Sequence, residues 1–208
     1  MPTGFLHLPG EIRNVIYADV LVKKEGKEVQ CTSRSRKNGL TPGLLTANRK
    51  IYREAITMLY SQNRFQLCTG YPLDKYWFSV QIGRENASYI RHIVCPFPTL
   101  RFQALPETDY EDIRKITSSG KWFNDLGSIE RCYGGLETFT MTLMWHQVGG
   151  DWIEFANWEF IEKLDGSFKA MHSPPEIILN IFSKGLWAAD SVFMQKMKPI
   201  GWTINIID

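Results

Sequence analysis

The chain has 208 residues, enough for one ordinary domain or one domain with a small appended motif. Lys plus Arg number 24 against 22 Asp plus Glu, a formal charge of +2, which excludes a surface built throughout for nucleic acid or an anionic membrane. Apolar residues at 44% and aromatics at 13% exclude disorder and can fill a sizeable core.

Pro9 opens a first helix, where a missing N–H costs nothing, and Glu11 suits the positive end of the helix dipole. Ile12, Ile16 and Val20, with Tyr17 and Leu21 beside them, form its apolar stripe, and Phe5, Leu6 and Leu8 can fold back over its start. Residues 23–40 carry six cations against Glu25 and Glu28 and read as an exposed basic loop. Thr41-Pro42 restarts a helix that runs through Leu44, Leu45, Asn48, Ile51, Tyr52, Ala55, Ile56 and Leu59. A turn at 60–63 leads to a short strand at Phe65-Gln66-Leu67. Leu73, Tyr76, Trp77 and Val80 then suggest a helix ending near Gly83.

Tyr89 to Cys95 is a β-branched run stopped by Pro96, hence a strand. Residues 109–116 and 121–132 look helical, and Gly134-Gly135 is a turn before Leu136 to Trp145, whose alternation is a strong strand signal. Trp152, Phe155, Ile161 and Leu164 predict a helix closed by Gly166. Ser173-Pro174-Pro175-Glu176 resembles a capping box opening another helix through Ile177, Ile178, Ile181 and Phe182. Trp202 to Ile207 closes the chain as a strand. The expectation is a mixed α/β (α+β) fold: a helical portion over 1–68, then an α/β portion over 69–208 with about three parallel strands, packed with the first as one unit. The strand spacing is too long and irregular for a regular short-repeat horseshoe.

The segment Phe5-Leu6-His7-Leu8-Pro9-Gly10-Glu11-Ile12-Arg13-Asn14-Val15-Ile16-Tyr17 resembles the opening of fungal F-box-like proteins. Leu44-Leu45-Thr46-Ala47-Asn48-Arg49-Lys50-Ile51-Tyr52-Arg53-Glu54-Ala55, the stretch Leu59 to Phe65, and Tyr89-Ile90-Arg91-His92-Ile93 continue that resemblance in order. It implies a helical unit led by Leu-Pro that docks on the Skp adaptor of cullin–RING ubiquitin ligases, and a C-terminal portion that recruits a target. Carried over by position, Leu8, Pro9, Ile12 and Ile16 match the first docking helix, and Leu45, Ile51 and Tyr52 its partner. The same residues can also simply pack the two helices together. Arg13, Asn14, Glu54 and Asn63, polar beside apolar stripes, suit a buried hydrogen-bonded network.

No catalytic constellation is legible. His7, His92, His146 and His172 are scattered, and His92 and Cys95 share a strand but fall on opposite faces. Cys31, Cys68, Cys95 and Cys132 form no CxxC pair, which argues against structural zinc and for a reducing compartment. The glycine pairs lack phosphate-loop spacing. No cofactor, metal or catalytic residue is expected. The basic loop has no interleaved aromatic, so nucleic acid is a weaker partner than protein. Trp122, Trp145, Trp152, Trp158, Trp187 and Trp202 load the C-terminal half and would mark an interaction surface if two were exposed together. The first twenty residues hold Pro9, Glu11, Arg13 and Asp19, unlike a signal peptide, and no apolar run reaches a bilayer span. The reading is an intracellular, cytoplasmic or nuclear, non-enzymatic interaction protein. Its alternatives are a compact domain binding a peptide or small ligand, and an enzyme of unrecognised class.

Overall fold

The computed structural model describes residues 4–24, 27–31, 43–67, 73–96, 132–144, 158–182 and 192–207. A 3-10 turn at Phe5–His7 leads into α1 (Gly10–Leu21), with Pro9 as its N-cap. The helix turns Arg13, Tyr17 and Leu21 inward: Tyr17 and Leu21 belong to the expected stripe, whereas Ile12 is exposed and Arg13 takes the inward place beside it. A buried arginine in the seam is the reason: periodicity counts Arg13 as polar, whereas its guanidinium is partnered inside the unit. The long second helix divides into α2 (Gly43–Ala47) and α3 (Arg49–Gln62). Asn48 breaks it by taking extended backbone and accepting from Lys50 N through Oδ1 at 2.7 Å, the geometry of an N-cap. Tyr17, Leu21, Ile51, Ala55, Ile56 and Leu59 make the core between α1 and α3, against which Phe5 and Leu6 pack.

The sheet is larger than expected. Its six strands are β1 (Val29–Gln30), β2 (Arg64–Gln66), β3 (His92–Pro96), β4 (Thr138–Met144), β5 (Glu176–Phe182) and β6 (Thr203–Ile207). All neighbours are parallel and the spatial order is the sequence order, so the mixed α+β class holds with six strands where sequence reading counts three in the layer. β1 lies inside the stretch read as a basic loop. β1 and β2 come from the first 68 residues and join the same sheet as the later strands.

The segment 176–182, expected as a helix, is the strand β5. Ile177, Leu179 and Ile181 are buried while Ile178, Asn180 and Phe182 are half-buried, a period of two that β-branched Ile residues satisfy between two neighbours. The prolines before it set up a strand entry rather than a helix cap. Two smaller boundaries move: β3 starts at His92 because α5 (Arg84–Ser88) occupies the preceding residues, and Gly166 sits inside α6 (Trp158–Lys169). α4 (Leu73–Ile82) ends at Gly83 as expected, where a φ of 82° favours glycine. A final α7 (Val192–Met197) precedes β6. The expected helices at 109–116 and 121–131, the Thr41-Pro42 start, and Trp152 and Phe155 lie outside the described residues.

Parallel strands in sequential order send each crossover the same way. With right-handed crossovers the connecting helices collect on one face. The burial agrees: Phe65, Ile93, Phe139 and Leu179 on that face pack with Ile90 and with Leu164 and Phe168 of α6, Phe139 and Phe168 lying 4.8 Å apart between ring centroids. Tyr60 touches this core and the α1–α3 core, stacking on Phe65 at 5.7 Å. Strand order is thus that of a solenoid without a regular repeat, and the opposite face of the sheet carries Arg64, His92, Thr138 and Asn180, with Val94 and Thr140 buried on it.

Candidate functional site

Two surfaces result. On the first, the seam between α1 and α3 is closed by a polar triad. Arg13 donates to Glu54 through Nε to Oε2 at 2.9 Å and through Nη2 to Oε1 at 2.7 Å, and Tyr17 donates its hydroxyl to Oε2 at 2.9 Å. Arg13 Nη1 also donates to the carbonyl of Leu8, tying the Leu-Pro entry to the helix. The bidentate arginine holds the Glu54 carboxyl below the usual carboxylate range, and burial beside that carboxylate pushes the Tyr17 hydroxyl up. Asn63 belongs to a separate cluster, and Asn14 is exposed, so the expected single network of four polar residues divides.

Because Arg13, Tyr17 and Leu21 do the internal packing, apolar side chains of α1 remain outside. Ile12 is 48% and Val15 67% exposed, Pro9 is exposed, and Leu8 and Ile16 are half-buried. Of the partner helix, Ile51 is a correction: at 6% exposure it is core and faces no partner. Leu45 packs half-buried against the same core, and Tyr52 is 39% exposed with its hydroxyl accepting from Asn86 Nδ2 of α5.

The second surface is the open end of the opposite sheet face, at the start of its strands, where the face is not buried as it is at Val94 and Thr140. Register aligns Arg64, His92, Thr138 and Glu176 in one row across β2 to β5. His92 Nδ1 lies 3.0 Å from Thr138 Oγ1. Arg64 reaches across β3 to donate from Nη2 to Thr140 Oγ1 at 3.2 Å. Above this row sits the segment after α1. Asn63 Oδ1 accepts from Lys23 N at 2.8 Å, and Lys27 N bonds to Lys24 O at 3.2 Å. A cavity of about 520 Å³ lies between, bordered by Lys23, Lys24, Lys27, Arg64, His92 and Thr138. Burial, with Arg64 and Arg91 nearby, holds His92 below its ordinary pKa against the opposing pull of Glu137. Nothing in the sequence brings residues 23, 64, 92 and 138 together; only the parallel register does.

Cys95 is buried under the sheet while His92 faces the opposite side, as their spacing predicts. No group of three metal-binding side chains occurs among the described residues, and no helix among them is long and apolar enough to cross a membrane. Trp202 is core, its Nε1 donating to Asp165 at 2.9 Å. The side chains of the other five C-terminal tryptophans lie outside the described residues. No protein-family model matches this chain, and neither a curated protein nor a solved structure matches it.

Proposed function

We propose that the chain is a non-enzymatic protein–protein interaction protein whose α1–α3 unit docks the Skp adaptor of a cullin–RING ubiquitin ligase, with the remainder receiving a target. The observation that supports this reading is the division of labour on α1. Arg13, Tyr17 and Leu21 fasten the helix internally, and Pro9, Ile12 and Val15 are left as an apolar surface at helical spacing. Those exposed residues fall in the block that resembles the F-box opening.

Co-purification with the Skp adaptor tests it, using the wild-type chain beside an Ile12→Asp, Val15→Asp double variant. Binding by the wild type that disappears in a folded variant is the expected result. A wild type that fails to bind removes the adaptor role. The open sheet face, with its cavity, favours a second reading as a compact binding domain for a peptide or small ligand.

A further inference from the structure

We infer that the cavity on the open face of the sheet is a binding site for a phosphate group, either free or carried by a small molecule. This does not depend on adaptor docking, which uses a different surface. The first argument is charge without a counterpart. Lys23, Lys24, Lys27 and Arg64 border the cavity, none of its described lining residues is acidic, and no ion pair among the described residues involves any of the four. Glu176, next along the row from Thr138, stands outside the lining, with its Oε1 accepting from Thr203 Oγ1 at 2.9 Å.

The second argument is an unmet donor. Arg64 spends Nη2 on Thr140, but its Nε is buried and has no acceptor. A guanidinium presents five donors and does not lose its proton, so a buried N–H without a partner calls for an acceptor from outside.

The third is pre-organisation. Asn63 fixes Lys23 N, Lys27 N donates to Lys24 O, and Lys23 Nζ donates to Glu28 O at 3.0 Å while keeping two further protons for a ligand. The backbone that carries Lys23 and the Lys23 ammonium group are therefore fixed beside the row of Arg64 and His92 before anything binds.

Four cations, with no acid among the described lining residues, suit a dianion with several acceptor oxygens better than a lone carboxylate. The volume, about 520 Å³, falls in the range of small-molecule sites. No Phe, Tyr or Trp is among the described lining residues, so the stacking platform a nucleic-acid strand requires is missing there.

Isothermal titration of the full chain with inorganic phosphate and with glycerol phosphate, against acetate at matched ionic strength, tests the inference. The expected result is saturable one-to-one binding, weakened about tenfold or more by Arg64→Met and several-fold by a Lys24→Gln, Lys27→Gln variant. Tighter binding of the ester identifies a phosphorylated small molecule as the ligand, and tighter binding of inorganic phosphate the free ion. If Arg64→Met fails to fold, the double lysine variant, altered only at exposed positions, decides alone. Absence of saturable binding by the wild type, equal binding of acetate, or unchanged affinity in the folded variants overturns the proposal.

Discussion

The side-chain amide of Asn63 joins the ends of two helices: Nδ2 donates to the carbonyls of Leu21 and Leu59, each at 2.7 Å, and Oδ1 accepts from Lys23 N at 2.8 Å. All three partners are backbone groups where α1 ends, α3 ends and β2 is about to begin. At 1% exposure the amide excludes water that might replace it. Asn63→Ala orphans these groups together and lowers stability by about 3 kcal/mol, read as a shift of the urea midpoint without a change in slope. Asn63→Asp keeps only the acceptor, loses both carbonyl bonds and turns a charge toward two oxygens, so it is at least as damaging.

The Arg13–Glu54 pair has a pH signature. Its geometry holds the Glu54 carboxyl below the pKa it has in the unfolded chain. A depressed carboxylate stabilises the fold above its unfolded pKa, and that contribution is lost as pH falls through the folded value. The wild type therefore loses stability on the acid side of the ordinary carboxylate range. Glu54→Gln keeps the shape but not the charge, and its stability declines less steeply there. Arg13→Met is worse at neutral pH, because it strands a part-buried carboxylate with only Tyr17 as a donor.

The helical seam was legible as a place but not residue by residue. The sequence places α1, α3, β3, β4 and β6 close to where they form, because each has a clear period or a capping residue. It finds Tyr17 and Leu21 on the inward stripe of α1 but puts Ile12 there instead of Arg13, since a periodic reading cannot know that Arg13 has Glu54 forty-one positions away. It reads Glu176–Phe182 as a helix because proline followed by glutamate is a common helix start and seven apolar-rich residues fit either period. Inclusion in a central strand is a tertiary outcome. The cavity was not legible at all, because its cations come from two distant segments, 23–27 and Arg64, that meet through the Asn63–Lys23 bond, while strand register adds His92 and Thr138.

Exposure on α1 and burial on α3 give opposite expectations for similar residues. Ile12→Asp and Val15→Asp alter side chains already in water, so each changes stability by no more than about 0.5 kcal/mol. Ile51→Ala empties a core site packed among Tyr17, Ala55 and Leu59, and it costs about 2–4 kcal/mol. Chemical denaturation of the three variants side by side checks the contrast. Equal losses in all three would place Ile12 and Val15 in the core and remove the surface on which adaptor docking rests.

Gly135 is small for a steric reason. Arg91 Nη1 donates to its carbonyl at 2.6 Å, and a Cβ there would lie 2.8 Å from the backbone oxygen of Ser88 as well as inside the guanidinium. The arginine can swing away, but the Ser88 carbonyl is backbone at the end of α5. Gly135→Ala thus destabilises by about 1–3 kcal/mol, and most of that remains when Arg91→Ala is added, because the backbone clash survives. A full rescue by Arg91→Ala would assign the constraint to the side chain alone.

His92 reports on the open face without any enzyme assay. Burial first, with the neighbouring Arg64 and Arg91 adding to it, favours its neutral form, against a pull from Glu137 that exceeds that of either arginine. A histidine whose folded pKa is depressed binds its proton more weakly folded than unfolded. Its contribution to stability is present above the unfolded value and lost as pH falls below it. The imidazole signals of His92 in an NMR titration thus shift at lower pH than those of a free histidine. Arg64→Met removes one source of repulsion and raises the midpoint. A phosphate held over the row by Arg64 and the lysines supplies negative charge near the ring and also raises it, in the wild type but only weakly in Arg64→Met. The two effects separate the electrostatics of the row from occupancy of the cavity. A midpoint moved by the mutation and indifferent to phosphate leaves Arg64 as a neighbour of His92 with no anion between them.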